Sequence, residues 1–165
     1  MTPLILLDEL CKELTGIVQN FRLQTTKKTT IPPRVWPGYL PTNDNNENED
    51  EEVTFPYVIA RIIDVEDKEK ESIAKIVILI GTYSEDDDFW RDCINVGERI
   101  RQGLLIKRQL GNQFRMKLPL KLECPDGTQQ PYPEAIAWLT TLWHISQPQQ
   151  RLEEGIYGEN IPGRN

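Results

Sequence analysis

The spacing of apolar and polar residues along this chain predicts two helices and four strands. Apolar side chains recur at three- and four-residue intervals over residues 3–24 and again over 87–109, and charged side chains occupy the opposite side of each segment. This period is that of an amphipathic helix with one buried face. Runs rich in valine, isoleucine, leucine and aromatic residues predict strands instead, and they lie at 57–64, 73–83, 114–123 and 135–146.

Two of these runs also indicate where the strand lies in the sheet. Residues 76–80 are apolar throughout, which predicts a central strand covered on both faces. The run 114–123 alternates between apolar and charged residues, but Pro119 interrupts it. Because proline has no N–H to donate to a neighbouring strand, we expect an edge strand or a bulge there. Residues 65–72 are nearly all charged and predict a solvated hairpin connection between the first two strands.

The order of the elements is α-β-β-α-β-β. It predicts an α+β fold in which two helices pack on one face of a four-stranded, mostly antiparallel sheet. We expect residues 1–147 to form a single domain, which contains an unusually long and acidic connection at 25–55. Residues 148–165 are polar and bear glycine and proline, which predicts a C-terminal arm.

The net charge of −7 comes mostly from one stretch of the chain. Six acidic residues, separated only by asparagine, lie between Asp44 and Glu52, so the rest of the chain is close to neutral. A nucleic-acid-binding protein needs clustered lysine and arginine, so this balance argues against nucleic acid as the main partner. No apolar stretch approaches the roughly 18 residues of a membrane span, so we expect no membrane partner.

The inventory of reactive side chains is small. Cys11, Cys93 and Cys124 are odd in number, far apart in sequence and without a C-x-x-C pair, which is typical of a protein kept reduced. Triad catalysis needs a base, and the only histidine, His144, lies in an aromatic strand where a structural or surface role is more typical. No glycine-rich phosphate-binding motif occurs. We therefore expect no enzyme, no catalytic residue and no cofactor.

A divalent metal site is the more specific alternative to a protein without a reactive site. Glu85, Asp86, Asp87 and Asp88 are hard oxygen ligands of the kind that Mg²⁺ or Ca²⁺ prefers, and they raise the possibility of a metal-dependent hydrolase. Adjacent carboxylates seldom converge on one ion, however, and residues 84–87 also match a helix capping box. Capping of the second helix is therefore our preferred interpretation, and no metal is expected.

The remaining features favour contact between molecules. Trp36 and Tyr39 lie among prolines in the segment 31–40, which either packs over the core or docks on a neighbouring molecule. A small sheet has two edges that must be covered or used, and in a ring each subunit's edge is completed by the next subunit. We predict a subunit interface that includes Trp36, Tyr39, Pro119 and Trp138.

A series of stretches between residues 55 and 147 resembles one protein family. The stretches are FPYVI at 55–59, IIDVED at 62–67, IVILIGTYSED at 76–86, GERIRQGLL at 97–105, MKLPLK at 116–121, QPYP at 130–133 and WLTTLW at 138–143. In this order and spacing they resemble the tail terminator, or tail completion, proteins of tailed bacteriophages and prophages of low-GC Gram-positive bacteria.

The resemblance implies an α/β fold of this kind and a homo-oligomeric ring, usually a hexamer. Such a ring binds the end of the tail tube, stops tube polymerisation and offers a surface to the head connector or neck protein. It implies a structural virion protein at the tail–neck junction, assembled in the cytoplasm of the host bacterium. Another head–tail joining subunit, such as a neck, head-closure or minor capsid protein, remains the alternative.

In such a ring the viral DNA passes through the lumen without specific binding. An acidic lining suits this task because it repels the phosphates. We therefore expect one of the acidic loops, 44–52, 66–71 or 85–88, to face the channel. The candidate lumen-facing residues are Asp50, Glu51, Glu52, Glu66, Asp67, Asp86 and Asp87.

Overall fold

A computed structural model describes residues 2–41, 54–127 and 131–151 of the chain. Its helices are α1 (Pro3–Val18) and α2 (Trp90–Lys107). Its strands are β1 (Leu23–Gln24), β2 (Thr30–Ile31), β3 (Arg34–Pro37), β4 (Tyr57–Asp67), β5 (Ser72–Tyr83), β6 (Gln109–Leu110), β7 (Phe114–Glu123) and β8 (Glu134–Ile145). The acidic stretch of the predicted connection and most of the predicted arm lie outside the described residues.

The fold is α+β, as the sequence predicts, but its main sheet is larger than predicted. Six strands pair in the order β3-β4-β5-β8-β7-β6, and every pair is antiparallel except β3 with β4. The four predicted strands form its centre. The prediction of a four-stranded sheet is wrong at the edges, because β3 and β6 are too short to produce a periodic signal. A separate two-stranded pair, β1 with β2, is also additional.

The helices are shorter than their periodic patterns. The first pattern runs to residue 24, but α1 ends at Val18, and Leu23 enters the core from β1 instead. The capping-box prediction is wrong as well. The residue before α2 is Phe89, and Ser84 instead closes a local turn in which its hydroxyl accepts a hydrogen bond from Asp86 N at 3.2 Å.

The hydrophobic core lies between the two helices and one face of the sheet. Alternate residues of β5, from Ala74 to Ile80, join the buried face of α1 in one cluster. α2 approaches the same face closely: a Cβ on Gly97 would lie 3.4 Å from Ile80 Cδ1 and 2.9 Å from Leu122 Cδ1. Two helices on one face of the sheet is therefore the observed arrangement. Neither described helix is long and apolar enough to cross a membrane.

The opposite face of the sheet is less protected than the sequence predicts. Val77 and Leu79, which alternate with the core residues of β5, are only half-buried. The prediction that this central strand is covered on both faces is therefore wrong for the described part of the chain. An apolar sheet face that the helices leave open is the starting point for the site.

Candidate interaction surface

The sheet face opposite the helices, here called the outer face, carries a row of apolar side chains across four strands. Residues directly opposite each other on paired strands project to the same face. Trp36 lies opposite Ile59, and Ile59 lies opposite Leu79. Leu79 in turn lies opposite Trp138, whose other neighbour is Glu123. Trp36, Ile59, Leu79 and Trp138 therefore form one continuous apolar row.

Further apolar side chains widen this row. Tyr57 and Ile136 lie on one side of it, and Val77 and Leu142 lie on the other side. Ile136 is 41% exposed, and the others are half-buried. Such a surface is apolar enough to be an interface, because contiguous apolar patches on soluble proteins mark contact sites.

Tyr39 is held at the border of the same face. The chain turns after β3 at Gly38, whose φ of 77° favours glycine. Arg61 donates from Nε to Gly38 O at 2.8 Å, and its Cζ lies 4.1 Å from the centre of the Tyr39 ring. This cation–π contact fixes a ring that is 71% exposed. Three of the four predicted interface residues thus lie on or beside the outer face: Trp36, Tyr39 and Trp138.

The fourth predicted interface residue, Pro119, lies apart from the other three. It is exposed on β7, in a stretch where the pairing with β8 shifts register between Lys117 and Lys121. The sequence predicts an edge strand or a bulge at Pro119, and the structure has an irregularity of the strand pairing there. Leu118 beside it is 54% exposed.

At each edge of the sheet, a short strand covers only one end of a longer strand, and the covered ends are opposite at the two edges. β3 pairs with β4 only over Tyr57–Ala60, which leaves the rest of β4 without a partner on that side in the described part of the chain. β6 pairs with β7 only at Phe114 and Arg115. The strand register places Tyr57 and Glu123 toward one end of the sheet and Arg115 toward the other. The short strands β3 and β6 therefore lie at diagonally opposite corners.

The parts of the two edges that no described strand covers differ in charge. The uncovered end of β4 carries three carboxylates, Asp64, Glu66 and Asp67, against one arginine. It also exposes Ile63 and Val65, by 49% and 41%. The uncovered part of β7 carries two lysines against one glutamate, and Lys117 Nζ already lies 2.7 Å from Glu71 Oε2. That lysine lowers the pKa of Glu71 by donating a hydrogen bond to it.

The predicted lumen-facing carboxylates lie at opposite ends of the sheet. Glu66 and Asp67 end β4, where Asp67 Oδ1 accepts a hydrogen bond from Ser72 Oγ at 2.5 Å. Asp86 follows β5 at its other end, and Asp86 Oδ2 accepts a hydrogen bond from Gln24 Nε2 at 2.9 Å. Because β5 has 12 residues, the two ends are about 40 Å apart. Asp50, Glu51 and Glu52 lie outside the described residues.

The carboxylates proposed as an alternative metal site are directed to separate partners. Glu85 Oε1 accepts a hydrogen bond from the Tyr83 hydroxyl at 3.0 Å, while Asp86 contacts Gln24. Asp88 Oδ2 lies 4.0 Å from Arg91 Nε. Within residues 2–41, 54–127 and 131–151, no three histidine, cysteine or acidic side chains are placed to hold an ion.

A groove of about 730 Å³ lies at the Tyr57 end of the sheet, between the start of α2 and the segments around β7 and β8. Nothing in the sequence predicts this groove, because Trp90 fits the apolar stripe of α2 and yet is 47% exposed. Tyr132 packs edge-on against Phe89 at 5.2 Å between ring centres and donates from its hydroxyl to Glu85 O. Cys93 also lines the groove, and burial raises its pKa to about 12.

No protein-family model matches this chain, and no curated protein matches it either. His144, the only histidine, is exposed on the outer face and lies opposite Arg115.

Proposed function

We propose that this chain is a structural subunit of a tailed bacteriophage or prophage that caps the tail tube. In this proposal an oligomeric ring of the protein binds the end of the finished tube and stops its polymerisation. The ring then joins the tail to the head connector or neck protein. It is assembled in the cytoplasm of the host bacterium and remains in the virion at the tail–neck junction.

One observation carries the proposal: in the described part of the chain, short strands cover the two sheet edges at opposite ends, and the apolar outer face is left open. A molecule with two different, complementary edges can join copies head to tail, and head-to-tail contacts close into rings when the rotation between copies allows it. The resemblance of residues 55–147 to tail terminator proteins supports the same assembly. The apolar row adds a surface on which a neighbouring protein can dock.

The chemistry of the described residues supports a structural role over a catalytic one. The buried thiol of Cys93 has a pKa of about 12, so it is a poor nucleophile at neutral pH. Burial and the charge of Asp8 raise the pKa of Cys11 to about 11. The carboxylates at 85–88 are engaged in local contacts that suit a turn. These properties of the described residues favour a protein that acts through its shape and its self-association.

Oligomeric mass tests the proposal directly. The full chain is measured by light scattering with multi-angle detection and imaged by negative-stain microscopy, in buffer with Mg²⁺ and in buffer with EDTA. We expect a hexameric ring in both buffers. A ring with another number of subunits favours a different head–tail joining subunit, and a monomer that Mg²⁺ stabilises favours a metal-dependent hydrolase.

A further inference from the structure

We propose that neighbouring copies in the ring join by strand addition, with β3 of one copy pairing along the uncovered part of β7 of the next copy. This inference rests on the proposed function, since it names the contact that would build the ring. The occupant of the β7 edge is thus a second copy of this chain.

Strand direction makes this pairing antiparallel. β4 runs opposite to β5, β5 opposite to β8, and β8 opposite to β7, so β4 and β7 run in opposite directions. β3 is parallel to β4 and therefore also runs opposite to β7. When the next copy is generated by rotation about an axis along the strands, its β3 meets β7 in the antiparallel sense. Antiparallel strands pair with slightly better hydrogen-bond geometry than parallel ones.

β3 and the end of β7 also lie at the same position along the strand direction. Trp36 and Glu123 belong to the same cross-strand row, at the Tyr57 end of the sheet. Copies placed side by side at one level therefore bring β3 of one copy beside the last residues of β7 in the other. At the same time, β6 of the second copy faces the uncovered end of β4 in the first. The short strand of each copy therefore lies beside the part of the longer edge strand that is uncovered in the other copy.

Charge favours head-to-tail contact over contact between two β4 edges. The end of β4 that β3 leaves uncovered has an excess of carboxylates over arginine, so two such edges would bring like charges together. The lysines of β7 are paired within their own molecule, Lys117 Nζ with Glu71 Oε2 at 2.7 Å and Lys121 Nζ with Glu123 Oε1 at 3.0 Å. Trp36 of the incoming β3 enters the same cross-strand row as Glu123 and Trp138.

Pairing between copies would cover the strand edges that the described residues leave exposed. An uncovered strand presents unpaired N–H and C=O groups that promote uncontrolled pairing with other chains. Pro119, which lacks an N–H, and the register shift beside it limit pairing at the middle of the β7 edge. The regular stretch from Lys121 to Glu123 remains available for one strand, and β3 has four residues.

Crosslinking of thiols with a short, flexible bis-maleimide tests the proposed contact in the full chain. Cys124 is exposed and directly follows β7, so it reports on whatever lies beside the end of that strand. Arg34→Cys places a second thiol at the start of β3. Within one molecule these strands are separated by three others, about 19 Å, which exceeds the reach of a disulfide or a short bis-maleimide. Crosslinking between residue 34 and Cys124 therefore occurs only between copies.

Two controls match this variant. Val65→Cys places an exposed thiol on the same edge, but about 20 Å further along the strands from the level of Cys124. Cys124→Ser in the Arg34→Cys background removes the reporter. If circular dichroism shows that Arg34→Cys does not fold, Pro37→Cys, exposed at the other end of β3, replaces it.

We expect Arg34→Cys to give a ladder of covalent multimers up to the ring, and both controls to lose it. Rings that form without this ladder overturn the strand-addition contact and leave the tail-capping proposal standing. Covalent dimers that persist in the Cys124→Ser background also overturn it, since they show a two-fold contact between β3 strands. A protein that is monomeric by light scattering contradicts the proposed function itself, together with this contact.

Discussion

The ring of Tyr57 lies directly over Gly81 on the neighbouring strand. The two residues are paired in the sheet, and a Cβ on Gly81 would lie 2.6 Å from the Tyr57 hydroxyl oxygen and closer still to the ring carbons. Phe55 supports the ring from the side, with 5.3 Å between ring centres. Desolvation of this packed phenol raises the pKa of Tyr57. Glycine at 81 is therefore what allows the ring to lie flat on the sheet.

Gly81→Ala is expected to push the Tyr57 ring into water. Overpacking of this kind costs about 1–3 kcal/mol of stability, measured by urea unfolding. Because burial raises the pKa of Tyr57, the same variant should lower that pKa toward its ordinary value, measured by ultraviolet titration of the phenol. Gly16→Ala is the matched control: nothing lies within 4 Å of its added methyl, and alanine in a helix is expected to stabilise by about 1 kcal/mol. Equal stability and an unchanged phenol pKa in Gly81→Ala would contradict this packing.

The long elements of the fold were predictable from the sequence because each carries its own period. α1, α2 and the four central strands repeat apolar residues over ten or more positions, which is enough to distinguish a helix from a strand. The predicted helix ends were less accurate. Phe21 and Leu23 continue the apolar spacing of α1 after the helix has ended, because they reach the core from another direction.

The short edge strands and the apolar row were not predictable in the same way. β3 pairs with β4 across a gap of many residues, and this non-local pairing alone places Trp36 beside Ile59. The sequence identified Trp36, Tyr39 and Trp138 as candidates individually, but it contained no signal that they share a face. The uneven coverage of the two edges likewise depends on which residues lack a partner, which follows from register.

A buried hydrogen-bond chain connects β8 to β5 inside the core. Trp143 donates from Nε1 to Thr141 Oγ1 at 2.8 Å, and Thr141 donates from the same hydroxyl to Ile76 O at 2.8 Å. Thr141→Val removes both bonds and leaves the indole N–H buried without a partner, which is expected to cost about 1–3 kcal/mol in urea unfolding. Thr140→Val, half-buried on the outer face, should change stability by less than about 0.5 kcal/mol. Similar losses in the two variants would argue against the hydrogen-bond chain.

The three thiols are expected to differ in reactivity. Cys124 is exposed, whereas burial raises the pKa of Cys11 to about 11 and that of Cys93 to about 12. Since the thiolate is the reactive form, DTNB at pH 8 should label one thiol quickly in the native protein and the other two only after denaturation. Labelling of the slow thiols should rise as pH increases toward their pKa values. Cys124→Ser should remove the fast phase, and a fast phase that survives this substitution would contradict the assignment.

The apolar row is expected to contribute to self-association. Trp36→Ser and Trp138→Ser should each weaken association at least about tenfold, because buried tryptophans at interfaces often contribute about 2 kcal/mol or more. The dissociation of the ring on dilution, followed by light scattering or mass photometry, measures this. Ile106→Ser, on α2 and 87% exposed, is the control and should leave association unchanged. If Ile106→Ser weakens association as much as Trp36→Ser does, the effect is not specific to the outer face, and the contribution of the apolar row to self-association is contradicted.

Charge at the two ends of the sheet is expected to affect the passage of DNA. If one acidic loop lines the lumen of the proposed ring, reversing its charge creates a site that binds phosphates and slows ejection. Three variants separate the possibilities: Glu66→Lys with Asp67→Lys at one end, Asp86→Lys with Asp87→Lys at the other, and Asp50→Lys with Glu51→Lys and Glu52→Lys in the long connection. Ejection from phage particles that carry each variant is timed by the fluorescence of a DNA dye.

One of these variants should slow ejection, and the effect should shrink as salt screens the new positive charges. The mass of the ring is measured for each variant as a control and must stay unchanged. This control is needed because Asp67 and Asp86 also accept hydrogen bonds from Ser72 and Gln24, which the substitutions remove. Asp8→Lys, on the exposed side of α1, controls for charge reversal far from the sheet ends. Ejection that proceeds at the normal rate in all three variants, with rings intact, would show that none of these loops faces the DNA.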